Sequence, residues 1–585
     1  MIITSKDRIC IEEDFKIEAG PGAGKTEFLV NHIKNILQNS NRLSCARKVA
    51  CITYTNTAVE TILNRIGKGV SDRVEVSTIH SFLYRNVIKP YCAFLPTEYE
   101  LCSRKVNGHD ESYISNRYIR EWFENEDLGA LRHPNTKNQI LNMPAYNQAL
   151  QNWLLSMQCV RKDGSVSFEC DNSKAVGNDK ASNTQLRINA NNLRILSSKI
   201  IGIKKIYWRK GRLDHNDVLF FSSVLIEKYP FILDILRAKF AYMFIDEYQD
   251  TNPIQAHIVN EMRKDETIIG VIGDKAQSIY SFQGADPTLF DSYEVDDNNI
   301  HTICSNHRST NQIVTLLNKI RDDINQNSCE NIDDIETILY VGERNEAYKK
   351  ACELCSGNTV VSLSRDNISS NAMKKEIEGN DLDRKLLERY SEQDSNSQRR
   401  RFLISFVQAI ELSINGKYKE AVKGIEWMFK EEENSKKTAL YSLIKMLNVH
   451  SQYCDYNLMK FYNVVCSTIG ANLSGFRKGA AKEFYENTLY KSIAICINIV
   501  EDISSHITIH KAKGSEYENV MIVDNKNTKA LLLDPNLDKN EEHRIIYVGM
   551  SRARRRLFIQ MDQLEVEEER QIQEKLSDLM IVRLM

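Results

Sequence analysis

The sequence predicts an α/β protein of two parallel-sheet units, each interrupted by a mainly helical insertion. Three observations carry this expectation. A glycine-rich turn, Ala19-Gly20-Pro21-Gly22-Ala23-Gly24-Lys25-Thr26, opens an amphipathic segment near the start of the chain. Two apolar runs that each end in an acid follow, Ala241–Asp246 and Thr267–Asp274. After a long charged stretch with few Gly or Pro, strand-type runs return at Ile507–His510 and Val520–Val523.

Taken in order, the turn leads into a helix expected from Lys25 to about Leu37. Val49–Tyr54 is a short β-rich run, and Ala58–Ile66 has helical spacing. From about 90 to 200 Asn, Ser and Gln become frequent and the strand signal fades. The acid-terminated runs then restore it. From about 376 to 503 the pattern is helical. Arg399–Arg401 and Glu431–Glu433 read as solvated helix faces. Cys352 and Cys355 form a CxxC with no second pair at zinc spacing, so they read as a helix feature.

Composition narrows the function classes. The 585 residues are 42% hydrophobic and 27% charged, as in ordinary soluble proteins. A net charge of −2 confines any nucleic-acid site to a local groove. Fourteen scattered cysteines in a chain this long do not suggest a disulfide scaffold. No apolar run is long enough to span a membrane. With the glycine turn already at Ala19, no room for a cleaved leader is expected before it.

The chemistry starts in the turn. Gly20, Gly22 and Gly24 free backbone N–H groups to face a phosphate, and the following helix adds its N-terminus. Ala19, Ala23 and Glu27 flank that cradle. Lys25 is expected to reach the β- and γ-phosphates of ATP, and the Thr26 hydroxyl to hold Mg²⁺. In "YMFIDEYQD", Asp246 would help hold the Mg²⁺ and Glu247 would deprotonate the attacking water.

Further motifs lie in a fixed order. They are "TYTNTAVETILNRI", "VSTIHSFLYR", "DEYQDTNPIQ", "GDKAQSIYSFQGAD", "SNHRSTNQIV", "VVSLSRDN", "ITIHKAKGSEYENVMIV" and "EEHRIIYVGMSRARRRLFI". The set resembles that of superfamily 1 helicases of the UvrD/Rep/PcrA type, over most of the chain. The resemblance implies two RecA-like units, a first of residues 1–89 and 201–300 and a second of 301–375 and 504–585. Residues 90–200 and 376–503 match the positions of the family's 1B and 2B insertions. It implies a 3′ to 5′ ATP-driven motor on single-stranded or tailed duplex DNA. Gln277 would couple the γ-phosphate to the strand-binding surface, Arg308 and Arg552 would be arginine fingers, and Glu516 would bind the ribose. Tyr54, Phe82, Tyr280 and Phe282 sit where relatives place aromatics against bases, with Phe82 reading equally as core. Thr55, Thr78, His80 and His510 are candidate backbone contacts.

Departures from the family pattern bear on specificity. The Gln that reads adenine in relatives has no counterpart, and Lys6-Asp7-Arg8 stand in that region. His307 replaces a Tyr, and Phe282-Gln283 replace Trp-Arg. The layout also resembles the helicase-like subunit of the Gabija antiphage system. That resemblance implies a hetero-oligomer with an OLD-family endonuclease, in which a nucleic-acid-sensing ATPase with little unwinding of its own regulates a nuclease. A repair helicase is the third reading.

Overall fold

A computed structural model describes residues 1–584 except 45, 68–71, 111–113, 129–130, 132–133, 180–183, 265, 378–381, 384–385, 395, 431, 471–474, 477–478, 498–503 and 525. The first sheet contains β1 (Ile2–Ile3), β2 (Phe15–Ala19), β3 (Lys48–Thr53), β4 (Val74–Thr78), β5 (Phe240–Ile245), β6 (Ile268–Gly273) and β7 (Ile300–Ile303). Their order is β1-β7-β2-β6-β5-β3-β4, and every pairing is parallel.

Every residue of β5 and β6 is buried, which is why both read as unbroken apolar runs. Pairing of Gly273 with Glu18 and of Val271 with Ile245 brings the ends of β2, β5 and β6 to one edge. In open parallel sheets this carboxyl edge is where ligands bind. Gly270 lets β6 approach β2, since a Cβ there would lie 2.1 Å from the Phe15 ring.

The second sheet contains β8 (Thr337–Val341), β9 (Val360–Ser364), β10 (His506–Thr508), β11 (Tyr517–Val523), β12 (Ala553–Met561) and β13 (Leu579–Arg583). Their order is β10-β9-β11-β12-β8-β13, again all parallel. The fold is thus α/β with two large parallel sheets, beside a two-stranded parallel pairing of Ser305–Asn306 with Asn327–Ser328.

Several sequence expectations are corrected. The strand expected at Ile507–His510 is short, because Thr508 leads directly into the helix Ile509–Ala512. A division between 300 and 301 would cut β7, which pairs with β1 and β2. The segment 90–200 is mainly helical, as expected, and also carries strands. It carries two antiparallel hairpins, Gln158–Lys162 with Ser165–Glu169 and Val176–Asp179 with Thr184–Arg187. Its Trp122 and Trp153 join one core with Phe82, Trp208, Phe240 and Met243 beneath the first sheet, so it extends that unit. The segment 376–503 instead has its own core, which includes Leu403, Phe406, Leu443 and Phe461. Residue 503, its expected end, lies outside the described residues.

In the Arg399–Arg401 run Arg401 is exposed as expected, but the other two are not solvated. Arg399 and Arg400 are buried, and Asp394 accepts from the Arg399 guanidinium in a buried ion pair. Of the acidic run, Glu432 and Glu433 are exposed, and Glu431 lies outside the described residues. Cys352 lies in the helix Arg344–Leu354 and Cys355 is buried at its end, both unpaired. Among the described residues, no helix is long and apolar enough to cross a membrane.

Candidate nucleotide and nucleic-acid sites

β2 ends at Ala19, and the turn that follows enters α1 (Lys25–Asn39). Gly22 and Gly24 take left-handed φ values of 69° and 84°, which Gly adopts without steric cost. The turn is also pressed from outside. A Cβ on Gly20 would meet the Gln326 amide at 2.6 Å, and one on Gly22 would meet the Arg308 Cβ at 2.7 Å. Asn306 and Gln326 both donate to the Pro21 carbonyl, at 3.1 and 3.0 Å. Ala23 is buried beneath the turn, and Glu27 accepts from Ser5 Oγ at 3.5 Å.

Lys25 Nζ donates to the Ala19 carbonyl at 3.3 Å and lies 3.9 Å from Glu247 Oε1. Glu247 follows Asp246 at the end of β5 in a left-handed conformation, φ 57°. A non-Gly residue held there is strained, and such strain concentrates at functional sites. Burial, then the Glu247 charge, push the Asp246 carboxyl up from its ordinary value. Burial also acts to raise Glu247, but Lys25 and Lys513 outweigh it and hold this carboxylate below its ordinary value.

Mg²⁺ is bound by hard oxygen donors, usually one or two carboxylates with substrate phosphates completing the shell. Thr26 in the first turn of α1 and Asp246 at the strand end are donors of that kind. A cation would also relieve the buried Asp246 charge. Among the described residues, no group of three His, Cys, Asp or Glu side chains forms a protein-only metal cage. The donor set therefore fits Mg²⁺ held together with phosphates.

Arg552, immediately before a second-sheet strand, and Arg308, bonded to its neighbour Ser551, supply the cations that face this edge. Arg552, after the helix Glu541–Met550, is buried and donates from Nη2 to Gln277 Oε1 at 3.0 Å. Gln277 Nε2 in turn donates to Asp274 at 2.6 Å. Arg308 donates to the Ser551 carbonyl at 2.9 Å and pairs with Glu516 at 3.1 Å. Burial, then repulsion from Arg308, push Arg552 down to about 9. The structure thus gathers Lys25, Glu247, Gln277, Arg308, Glu516 and Arg552 at the facing edges of the two sheets.

Sequence reading missed several members of this network. Lys513 donates to the Asp250 carboxylate and, at 2.8 Å, to the Gln277 carbonyl. It also stands 4.6 Å over the Tyr280 ring. Arg321 forms buried bonds to both Asp274 oxygens, at 3.1 and 3.2 Å. Lys513 had a signal, since it lies in "HKAKGSEYENV" three places before Glu516. Arg321, in "NKIRDD", had none.

Behind Gln277 lies the aromatic group. Tyr54 and Tyr280 stack at 4.5 Å and 21°. Phe282 is 60% exposed, with Tyr280 5.9 Å and His510 5.7 Å away. Thr55 caps α2 (Asn56–Ile66) by accepting from Ala58 N, and Thr78 caps Ile79–Leu83 by accepting from Ser81 N. His80 packs edge-on against His215 at 4.9 Å. Phe82 does not belong to this group. It is fully buried against Phe240, 5.2 Å away, and presents no face to a base.

The departures noted in the sequence are visible too. Asp7 accepts from the Thr4 backbone N–H and hydroxyl, which leaves Arg8 exposed. His307 is exposed, and its N–H donates to the Gly22 carbonyl at 2.9 Å.

A glycine-rich turn at the end of a parallel strand, opening a helix and facing Arg552 immediately before a strand of a second parallel sheet, is the arrangement of a two-unit P-loop fold. Residues 5–301 match the UvrD/REP helicase N-terminal domain, and residues 408–563 match the UvrD-like helicase C-terminal domain. The chain belongs to the UvrD/Rep helicase family. It is similar to the ATP-dependent DNA helicase Rep of Buchnera aphidicola, 28% identical over 52% of this chain and 40% of that one. It is equally similar to the Gabija protein GajB of Bacillus cereus, 28% identical over 53% of this chain and 47% of GajB. The ATP-dependent DNA helicase PcrA of Staphylococcus aureus is 26% identical over 52% of this chain and 37% of PcrA. The chain spans less than half the length of each of these relatives.

Proposed function

We propose that this chain is a cytoplasmic ATP-driven motor that moves 3′ to 5′ on single-stranded DNA and acts in antiphage defence. The observation that carries the reading is the short path from Gln277 to Tyr280. At one end Gln277 accepts from Arg552 across the sheets, and three residues on Tyr280 joins the aromatic group. A change at the nucleotide therefore has a direct route to the strand-binding surface.

In this account Lys25 leaves the Ala19 carbonyl and Glu247 for the β- and γ-phosphates. Glu247 thereby loses a cation that holds it acidic, and its basicity rises as the attacking water arrives. Thr26 and Asp246 would hold Mg²⁺, which would supply charge neutralisation at the phosphates. Arg308 and Arg552 stabilise the charge that develops in the transition state. Because Arg552 leads into the second sheet and Arg308 is bonded to Ser551 beside it, turnover is linked to the fit between the two units. Phe282, 60% exposed, offers sequence-tolerant stacking, worth about 1–3 kcal/mol per base, and the stacked Tyr54–Tyr280 pair supports it from beneath.

A second reading is a nucleic-acid-sensing ATPase that regulates an OLD-family endonuclease in a hetero-oligomer. The similarity to GajB, equal in identity to that with Rep, favours keeping it. Strand displacement by the isolated chain separates the two. The motor reading expects ATP-dependent displacement from a 3′-tailed duplex and little from a 5′-tailed one. DNA-stimulated hydrolysis with no displacement from either would favour the regulatory subunit.

A further inference from the structure

The helix α3 (Ser435–Asn448) lies in the insertion that has its own core. One face carries Ala439, Ser442, Leu443 and Met446 into that core. The opposite face is apolar as well. Leu440 is 41% exposed, Tyr441 55% and Ile444 42%. A helix apolar on two faces belongs between two neighbours, and this one is covered on one side.

The spacing of the uncovered face is specific. Lys437, Tyr441, Ile444 and Asn448 recur at intervals of four, three and four, with Leu440 and Lys445 beside them. That is the seam of a helix that packs along a second helix. The frame is basic, since exposed Lys437 and Lys445 stand at the two ends of the Tyr441–Ile444 centre. Lys437 reaches over the Tyr441 ring at 5.9 Å.

We propose that this face of α3 docks an amphipathic helix of a partner protein, with Leu- or Ile-type anchors on the seam and Asp or Glu on its flanks. Charge complementarity selects this occupant. A second copy paired antiparallel about the centre would set Lys437 against Asn448 and Lys445 against Leu440 of the other copy, which brings no acid to either lysine. An acidic flank instead meets both lysines. The aliphatic Leu440 and Ile444 offer nothing to a phosphate backbone, so a protein helix fits this surface better than a nucleic acid. The inference goes beyond the motor reading and does not depend on it, because none of these residues belongs to the nucleotide or aromatic groups.

The test uses the full chain and a labelled synthetic amphipathic helix about three heptads long, with Leu on the seam and Glu on the flanks. Fluorescence anisotropy is expected to give saturable binding, weakened at least about tenfold in Leu440→Glu/Ile444→Glu. Lys437→Glu/Lys445→Glu leaves the apolar seam intact and is expected to reverse preference toward a Lys-flanked version of the peptide. Basal ATP turnover is expected to stay unchanged in both variants. Absence of binding by the native chain, or equal binding by both double variants, would overturn the proposal. So would Leu440→Glu/Ile444→Glu leaving peptide binding intact while abolishing duplex DNA binding or self-association.

Discussion

Arg552 and Gln277 are joined by a 3.0 Å hydrogen bond between the second and the first sheet. Gln277 is also bonded to Asp274, and Asp274 to Arg321, so the guanidinium is received by a fixed acceptor. Burial beside Arg308 makes Arg552 less comfortable as a cation, and a nearby phosphate would relieve that stress.

Arg552→Ala is therefore expected to act mainly in the transition state. The ATP turnover number should fall about 10³-fold, the scale of an arginine finger. The Michaelis constant should move by no more than about threefold. Arg308→Ala should behave alike. Steady-state kinetics check this, and a change confined to the Michaelis constant would make these residues ground-state binders.

Lys25 and Glu247 should separate binding from chemistry. Lys25→Ala removes the cation meant for the phosphates, so turnover should be abolished and affinity reduced. Glu247→Gln removes only the base, so nucleotide should still bind while hydrolysis drops at least about 100-fold. Equilibrium binding of a labelled nucleotide beside a hydrolysis assay tests both. Near-normal turnover in Glu247→Gln would remove it from the role of base.

The aromatics predict two unlike phenotypes. Tyr280→Ala should weaken single-stranded DNA affinity by about 1–3 kcal/mol and reduce DNA stimulation more than basal hydrolysis. Phe82→Ala should instead cost about 3–5 kcal/mol of stability with no selective loss of DNA affinity in the folded fraction. Denaturant titration with DNA-binding isotherms distinguishes them. Equal loss of basal and stimulated activity in Tyr280→Ala would make it a packing residue.

Base choice should be relaxed. A site built to hydrogen-bond a base edge rejects bases that leave it unpaired. The family's adenine-reading Gln has no counterpart, and both Arg8 and His307 are exposed. GTP and dATP should be hydrolysed within about tenfold of ATP, a gap of about 1.4 kcal/mol. Competition kinetics test this. A strong ATP preference that vanishes in Arg8→Ala would identify Arg8 as a substitute reader.

The legible parts of the sequence were those whose cause is local. Phe240–Ile245 and Ile268–Gly273 announced themselves because both faces of each strand are buried, so every position is apolar or small. The glycine turn was legible because its φ values require Gly. The hairpin at 158–169 was not, because polar residues such as Gln158, Arg161, Lys162 and Ser165 obscure its alternation. Arg399 read as solvated because its partner, Asp394, is recognisable only once both are buried. Lys513 and Arg321 act through partners far along the chain or across the cleft, and no periodicity encodes such a meeting.

In the proposed motor the Gln277–Tyr280 segment passes the state of the nucleotide to the strand-binding surface. The most direct measurement is ATP turnover against increasing single-stranded DNA for the native chain and for Gln277→Ala, with DNA affinity measured in parallel. Stimulation of about tenfold or more is expected in the native chain, and in Gln277→Ala unchanged DNA affinity with stimulation lost. Stimulation of Gln277→Ala equal to that of the native chain would contradict it.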